Sequence, residues 1–186
     1  MNSFLFLADG FEEIEALTTV DVMRRAGMDV KTVSINKDRY ATGAHGVTVA
    51  ADVVFDECRF GDAEWLILPG GMPGAANLHN HAGLTSLLRS YAANGKGRIA
   101  AICAAPAVVL APLGILKGRE VTCYPGFEEM CVAGGAVCKN TAVVESSRTL
   151  DTANGPAAAM SFALAIVHVS KGMSDADIVA SGMLYR

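Results

Sequence analysis

Strand-like segments that alternate with helical spacing constrain the fold of this chain most. Residues 3–8, 29–35, 65–68 and 97–102 are rich in apolar and β-branched side chains, and helical periodicity recurs in the stretches that follow several of them. Continuous apolar runs are typical of parallel strands buried on both faces. Their alternation with helices indicates βαβ units. The sequence therefore predicts an α/β fold, a doubly wound parallel sheet sandwiched by helices in a single domain.

Size and composition agree with one such domain over residues 1–186. Hydrophobic residues make up 52% and charged residues 18% of the chain, and the mean hydropathy is +0.34. No apolar run approaches the roughly 20 residues of a membrane helix. The N-terminus lacks the basic flank of a secretory signal. We therefore predict a cytoplasmic protein with no membrane contact.

The charged and metal-ligating residues exclude further classes. The net charge is −4 and the basic residues are scattered, so direct nucleic-acid binding is not expected. The five cysteines form no C-x-x-C pair, which argues against a disulfide framework or a zinc finger. We interpret His79-Asn80-His81 as a solvated loop, and we predict no metal site.

Local spacing predicts the remaining elements. Helices are expected from residue 11 to Gly27, over 83–93 and 107–113, from 154–156 to about 170, and after a cap at 174–177. Short strands are expected at 121–123, 136–138, 142–145 and 149–152. Residues 47–49 and 53–55 are interpreted as a hairpin-like excursion.

Cys103 ends the apolar run at 97–102, and Ala104, Ala105 and Pro106 open the helix that follows. Ligands bind beyond the carboxyl ends of parallel strands, where a tight turn can hold a nucleophile. The free N–H groups of the helix would favour a thiolate. The alternative is a buried cysteine that acts as a small apolar side chain. The pattern leaves both interpretations open.

Two other features fall at the same edge of the predicted sheet. Glu15 lies just beyond the first strand, whereas its neighbours Glu12 and Glu13 are accounted for by the helix dipole. The loop 69–74 contains Gly70 and Gly71, which allow positive φ and expose N–H groups to an oxyanion. The alternative for this loop is an ordinary turn.

Several motifs carry a family resemblance. Residues 7–15 (LADGFEEIE), 21–27 (DVMRRAG), 68–71 (LPGG) and 100–106 (AAICAAP) closely resemble the ThiJ/PfpI superfamily, and within it the DJ-one-like deglycase branch. The similarity extends over essentially the whole chain, through residues 121–125, 134–135, 155–156 and 162–167.

The resemblance implies a flavodoxin-like fold, usually a homodimer, with Cys103 as the nucleophile on an elbow. It places Glu15 beside the thiol, and the N–H groups of Gly71 and Ala104 at the oxyanion site, next to Gly70. A helix N-terminus contributes at most about 2 kcal/mol, which lowers a thiol pKa from about 8.5 to about 7. A protonated Glu15 would add to this effect and an ionised one would oppose it, so the two groups are expected to titrate as a coupled pair.

The chain departs from the superfamily at two positions. Relatives that act as peptidases or amidotransferases need a histidine near the nucleophile, yet position 104 is alanine. Tyr124 stands where some members of the nearest branch carry histidine, and it either donates a phenolic hydrogen bond near Cys103 or simply packs. Without a Cys–His dyad, proteolysis lacks its general base and is not expected.

The function implied by the resemblance is a cofactor-independent cysteine enzyme. Its substrates would be α-oxoaldehydes such as methylglyoxal, or their early adducts with thiols and amines, and it would need no metal or nucleotide. One alternative is a redox-responsive protein or chaperone whose Cys103 oxidises to a sulfinic acid. Another is a role in thiamine or thiazole metabolism, although the chain has no G-x-x-x-x-G-K-[ST] phosphate motif.

Overall fold

The computed structural model describes residues 2–95, 97–147 and 149–185, in which strands and helices alternate as the sequence predicts. Residues 1 and 186, the ends of the predicted domain, lie outside the described residues. The strands are β1 (Asn2–Leu7), β2 (Asp29–Ser34), β3 (Tyr40–Thr42), β4 (Thr48–Ala50), β5 (Val53–Val54), β6 (Trp65–Leu68), β7 (Arg98–Ile102), β8 (Glu120–Val121), β9 (Val137–Cys138), β10 (Val143–Ser147) and β11 (Leu150–Ala153). The helices are α1 (Glu13–Arg25), α2 (Gly74–Asn80), α3 (Ala82–Asn94), α4 (Glu128–Ala133), α5 (Ala159–Lys171) and α6 (Met173–Gly182). A further helical segment, the elbow helix, joins a π-helical turn (Pro106–Leu110) to a 3-10 turn (Ala111–Leu113).

The central sheet has the strand order β10-β11-β7-β6-β1-β2-β5. Its neighbouring strands are parallel except for β10, which runs antiparallel to β11. Only two positions separate β10 from β11, and a parallel crossover needs a dozen or more residues. The doubly wound α/β sandwich is therefore confirmed, with one antiparallel edge that the sequence did not predict.

Helices cover the sheet in two groups. Helices α1, α5 and α6 pack together, and α2, α3, α4 and the elbow helix form the other group. The strand β6 is fully buried between them, as its continuous apolar run predicts. In the part of the chain that the structure describes, no helix combines the length and apolar character needed to cross a membrane.

The predicted hairpin of 47–49 with 53–55 is wrong. Strand β4 pairs antiparallel with β3, whereas β5 joins the central sheet parallel to β2. Asp52 explains the separation, because its carboxylate accepts hydrogen bonds from the Thr32 N–H (2.8 Å) and hydroxyl (2.9 Å). These bonds hold the start of β5 against β2 instead of letting it fold back on β4.

The interpretation of residues 79–81 as a solvated loop is also wrong. His79 and Asn80 end α2, a helix that the sequence analysis missed. His81 caps the next helix, since its Nδ1 accepts the Leu84 N–H at 3.0 Å. The final helix begins at Met173, before the predicted cap at 174–177, so Ser174 lies within α6.

Candidate active site

The site forms where the ends of three neighbouring strands meet. Strands β1, β6 and β7 lie side by side, and their carboxyl ends lead to the first turn of α1 with Glu15, to the loop with Gly70 and to the turn with Cys103. Strands β2 and β5 lie on one side of β1, and the later strands β6, β7, β11 and β10 lie on its other side. Such a reversal of strand order is the point at which open α/β sheets bind ligands.

Cys103 occupies a strained turn between β7 and the elbow helix. Its φ is 65°, a left-handed conformation that costs a residue other than glycine about 1–3 kcal/mol. The backbone is fixed on both sides, because Cys103 N–H donates to Ala153 O (2.8 Å) and its carbonyl accepts the Tyr124 N–H (2.8 Å). The N–H groups of Gly71 and Ala104 act on the thiol and lower its pKa. This arrangement is a nucleophile elbow.

The loop after β1 is hydrogen-bonded to the loop after β6. Glu12 N–H donates to Gly70 O (3.0 Å), and Gly74 N–H donates to Gly10 O (3.1 Å). The side chain of Glu12 also caps α1 by accepting the Glu15 N–H at 2.7 Å. These bonds fix the first turn of α1, and with it Glu15, against the glycine loop.

Glu15 is fully buried beside the thiol. Its Oε2 accepts the Gly70 N–H at 2.7 Å, and its carboxyl group and the Cys103 thiol shift each other's pKa. Its Oε1 has no hydrogen-bond partner among the described residues. A buried oxygen without a partner is costly unless a bound water or substrate satisfies it. The carboxyl group is therefore placed to exchange a proton with a molecule bound at Cys103.

Both glycines of the loop are required by close contacts. A Cβ on Gly70 would lie 2.5 Å from the Cys103 Cβ and 2.8 Å from Glu15 Oε2. Gly71 has a φ of 86°, and a Cβ there would collide with the backbone of residues 10–12. The loop can therefore approach the thiol only with glycine at both positions.

The two titratable groups oppose each other's ionisation. Burial raises the pKa of Glu15 to about 7, although hydrogen bonds from Cys103 and Gly70 lower it. Burial and then the charge of Glu15 raise the pKa of Cys103 to about 12, against the lowering effect of the Gly71 and Ala104 N–H groups. The pair therefore loses one of its two protons near neutral pH and keeps the other proton up to high pH.

This result corrects the expectation that the helix end lowers the thiol pKa. Burial outweighs the N–H groups at Cys103, and an ionised Glu15 raises the thiol pKa further. The higher pKa of Cys103 leaves the remaining proton on the sulfur, and a thiolate forms when that proton passes to Glu15.

Tyr124 lies at the rim of the site. Its backbone N–H supports the elbow, its ring packs edge-on against Phe127 with centroids 6.4 Å apart, and the residue is 44% exposed. The other five predicted site residues, namely Cys103, Glu15, Gly70, Gly71 and Ala104, are brought together around the sulfur.

Glu13 has a structural role that the sequence analysis missed. Its Oε1 accepts the backbone N–H of His45 (2.7 Å), and its Oε2 bonds to the His45 ring at Nδ1 (2.7 Å). Burial raises the pKa of Glu13, but these hydrogen bonds outweigh it and the pKa is lowered. Glu12, Glu13 and His45 bring three potential metal ligands within 4.8 Å of one another. The side chain of Glu12 is already engaged in the cap of α1, and those of Glu13 and His45 bond to each other. Glu13 and His45 are 32 positions apart, so the sequence gave no sign that they would meet.

Together, the flavodoxin-like fold and the elbow define a class, the α/β domains that carry a reactive cysteine between a central strand and a helix. The profile of the DJ-1/PfpI family matches residues 2–169. The chain belongs to the DJ-1/PfpI family.

Individual relatives agree. "Protein DJ-1 homolog A" of Arabidopsis thaliana is 32% identical over 180 residues, which cover 97% of this chain and 45% of the relative. The chain thus spans less than half the length of the two Arabidopsis relatives it matches. "Glutathione-independent glyoxalase DJR-1.2" of Caenorhabditis elegans is 35% identical over 161 residues, 87% of this chain and 83% of the relative. The solved structure "Toxoplasma gondii DJ-1, oxidized" superposes with a TM-score of 0.93 at 34% identity and covers 99% of this chain and 98% of that chain.

Proposed function

We propose that this protein is a cofactor-independent cysteine enzyme that converts methylglyoxal-type α-oxoaldehydes, or their early adducts with thiols and amines, into 2-hydroxy acids. The observation that carries the proposal is the buried Cys103–Glu15 pair, with two backbone N–H groups directed at the sulfur. The name of the Caenorhabditis elegans relative, a glutathione-independent glyoxalase, supports the same chemistry.

The first step is attack of the Cys103 thiolate on the aldehyde carbon of methylglyoxal, with the shared proton on Glu15. A carbon–sulfur bond forms, and the electron pair of the carbonyl moves to its oxygen. The N–H groups of Gly71 and Ala104, which already lower the pKa of the thiol, would stabilise this alkoxide. Glu15 then gives its proton to the oxygen, which leaves a hemithioacetal and a carboxylate.

The second step moves a proton between adjacent carbons. The Glu15 carboxylate removes the C–H proton of the former aldehyde carbon and returns a proton to the ketone carbon through an enediol. The aldehyde carbon is oxidised to a thioester while the ketone carbon is reduced to an alcohol, so no external oxidant is needed. Water hydrolyses the thioester, releasing lactate and the Cys103 thiol.

Methylglyoxal consumption with lactate detection tests the proposal. We expect wild-type turnover without added glutathione, complete loss in Cys103→Ala, and unchanged turnover in Cys58→Ser, which alters a cysteine away from the site. Turnover that persists in Cys103→Ala would move the chemistry away from the elbow. Absence of turnover in the wild type would overturn the proposal.

A second candidate function is redox response without significant turnover, including a chaperone role in oxidative stress. One structural neighbour is described as oxidized, and Glu15, whose Oε1 has no hydrogen-bond partner among the described residues, would share a proton with an oxygen on the Cys103 sulfur. Two equivalents of peroxide would convert the thiolate through a sulfenic to a sulfinic acid, releasing water. Mass spectrometry after mild peroxide treatment tests this function. Oxidation of Cys58 before Cys103, or no sulfinic acid at Cys103, would exclude it.

We further propose, from the family resemblance, that the chain acts in the cytoplasm as a homodimer. Ile14 and Leu17 on α1 are apolar and exposed, which supports a contact between copies. Light scattering of the purified protein measures the oligomeric state, and fluorescence microscopy of a tagged chain locates it in the cell.

A further inference from the structure

Three cysteines that the proposed reaction does not use converge behind the elbow. Cys123, Cys131 and Cys138, here called the cysteine triad, place their sulfur atoms within 4.8 Å of one another. Cys131 lies eight positions after Cys123 and seven before Cys138, so the triad contains no C-x-x-C motif that would predict it. None is in a disulfide.

The fold holds the triad through backbone hydrogen bonds. Strand β8 pairs parallel with β9, which brings Cys138 opposite Val121, and Cys123 follows two residues later. Cys131 lies on α4, and its carbonyl accepts the Ala136 N–H at 3.0 Å just before β9. The sulfur positions therefore depend on paired backbone and not on a mobile loop.

We propose that the cysteine triad binds one soft, thiophilic cation of the Cu(I) class in trigonal thiolate coordination. Sulfur ligands select Cu(I), zinc or iron–sulfur centres over hard cations. Metal–sulfur bonds of about 2.3 Å arranged at 120° require sulfurs about 4 Å apart, a separation that the triad approaches without rearrangement.

The number of donors favours Cu(I) over zinc. Structural zinc sites have four protein ligands, whereas the triad gains no fourth histidine, cysteine or carboxylate from the described residues. The nearby Glu128 carboxylate already accepts the Gly126 N–H at 2.7 Å, and the Lys139 ammonium is paired with Glu120 at 2.7 Å. Three sulfurs alone complete a trigonal site.

Access and protonation are consistent with loading. A cavity of about 150 Å³ is bordered by two members of the triad, Cys123 and Cys138. Each of the three cysteines loses its thiol proton when it ligates the cation. On binding, the cation forms three metal–sulfur bonds and the thiol protons pass to solvent.

Anaerobic titration of the reduced protein with Cu(I), in competition with a chromogenic Cu(I) chelator, tests the site. We expect one Cu(I) per chain, and X-ray absorption should show three sulfur neighbours. Cys138→Ser should weaken binding by at least about 100-fold, since loss of even an outer partner of a metal ligand costs about 10–100-fold. Cys138 is the most exposed member of the triad, so its substitution disturbs the core least.

The controls separate the triad from the other thiols. Cys58→Ser and Cys103→Ala should retain Cu(I) binding, whereas Cys123→Ser should lose it, with circular dichroism confirming that each variant is folded. Binding that survives in folded Cys138→Ser, or disappears in Cys103→Ala, would overturn the proposal. A fourth ligand in the absorption spectrum, with Zn(II) bound more tightly than Cu(I), would overturn the choice of metal.

Discussion

The elbow and the cysteine triad surround their sulfur atoms with different chemical groups, and one backbone hydrogen bond links the two regions. Cys103 faces a carboxyl group, and Cys123 faces two other thiols. Tyr124 follows Cys123 and donates its N–H to the Cys103 carbonyl. Burial raises the pKa at both sites, yet the pKa of Cys103 is raised and that of Cys123 is lowered.

The neighbour therefore decides the chemistry of a buried thiol. A carboxyl group shares one proton with Cys103 and suits proton transfer to a substrate. Neighbouring thiols stabilise a thiolate at Cys123 by hydrogen bonding and offer further soft ligands. We accordingly assign acid–base chemistry to the elbow and metal binding to the triad.

Glu15→Gln should have the largest effect on turnover among the substitutions beside Cys103. Loss of a positioned general acid–base group typically costs about 10²–10⁴-fold, and we expect methylglyoxal turnover to fall by that factor. The neutral amide also removes the negative charge that raises the pKa of Cys103, so the thiol should be alkylated at lower pH than in the wild type. Steady-state kinetics and alkylation followed by mass spectrometry measure the two effects. Unchanged alkylation of Cys103 would show that the groups are not coupled.

Gly70→Ala should reduce turnover by about 10²-fold through geometry alone. The new Cβ would lie 2.5 Å from the Cys103 Cβ and 2.9 Å from its sulfur, so the thiol or the loop must shift by a substantial part of an ångström. A misplacement of about 1 Å costs about 10²-fold in rate. Gly61→Ala is the matched control, because a Cβ there meets nothing within 4 Å. Equal turnover in the two variants would contradict this account of the glycine loop.

The central sheet and the elbow were predictable because they depend on local patterns. The apolar runs of β1, β6 and β7 identify buried parallel strands, and Cys103 follows β7 directly. The order of these strands then places Glu15 and Gly70 at the same edge.

The triad and the Glu13–His45 contact were not predictable in this way. They join residues from elements whose relative positions are set by tertiary packing, such as α4 against β9. The hairpin prediction failed for the same reason, because Asp52 bonds to Thr32, 20 positions away, and local spacing carries no sign of that bond. The direction of the Cys103 pKa likewise depends on burial, which periodicity does not quantify.

The pH dependence of alkylation should distinguish the two regions directly. The thiolate is the reacting species, so a raised pKa moves the alkylation midpoint to higher pH and a lowered pKa moves it to lower pH. In metal-free protein, Cys123 should therefore react with iodoacetamide at lower pH than Cys103. Peptide mass spectrometry across a pH series gives both midpoints in one sample. The reverse order would refute the assignment of the thiolate to the triad.

Cys138→Ser should have the smallest effect, changing methylglyoxal turnover by less than about twofold. Cys138 is the member of the triad farthest along the chain from Tyr124, and its thiol donates to the Glu128 carbonyl at 3.6 Å, away from the elbow. The Tyr124 N–H bond to Cys103 belongs to the backbone and does not need the Cys138 sulfur. Kinetics of the metal-free variant beside wild type measure the change. A fall of tenfold or more, about 1.4 kcal/mol in activation free energy, would mean that the triad positions the elbow and that the two regions act as one site.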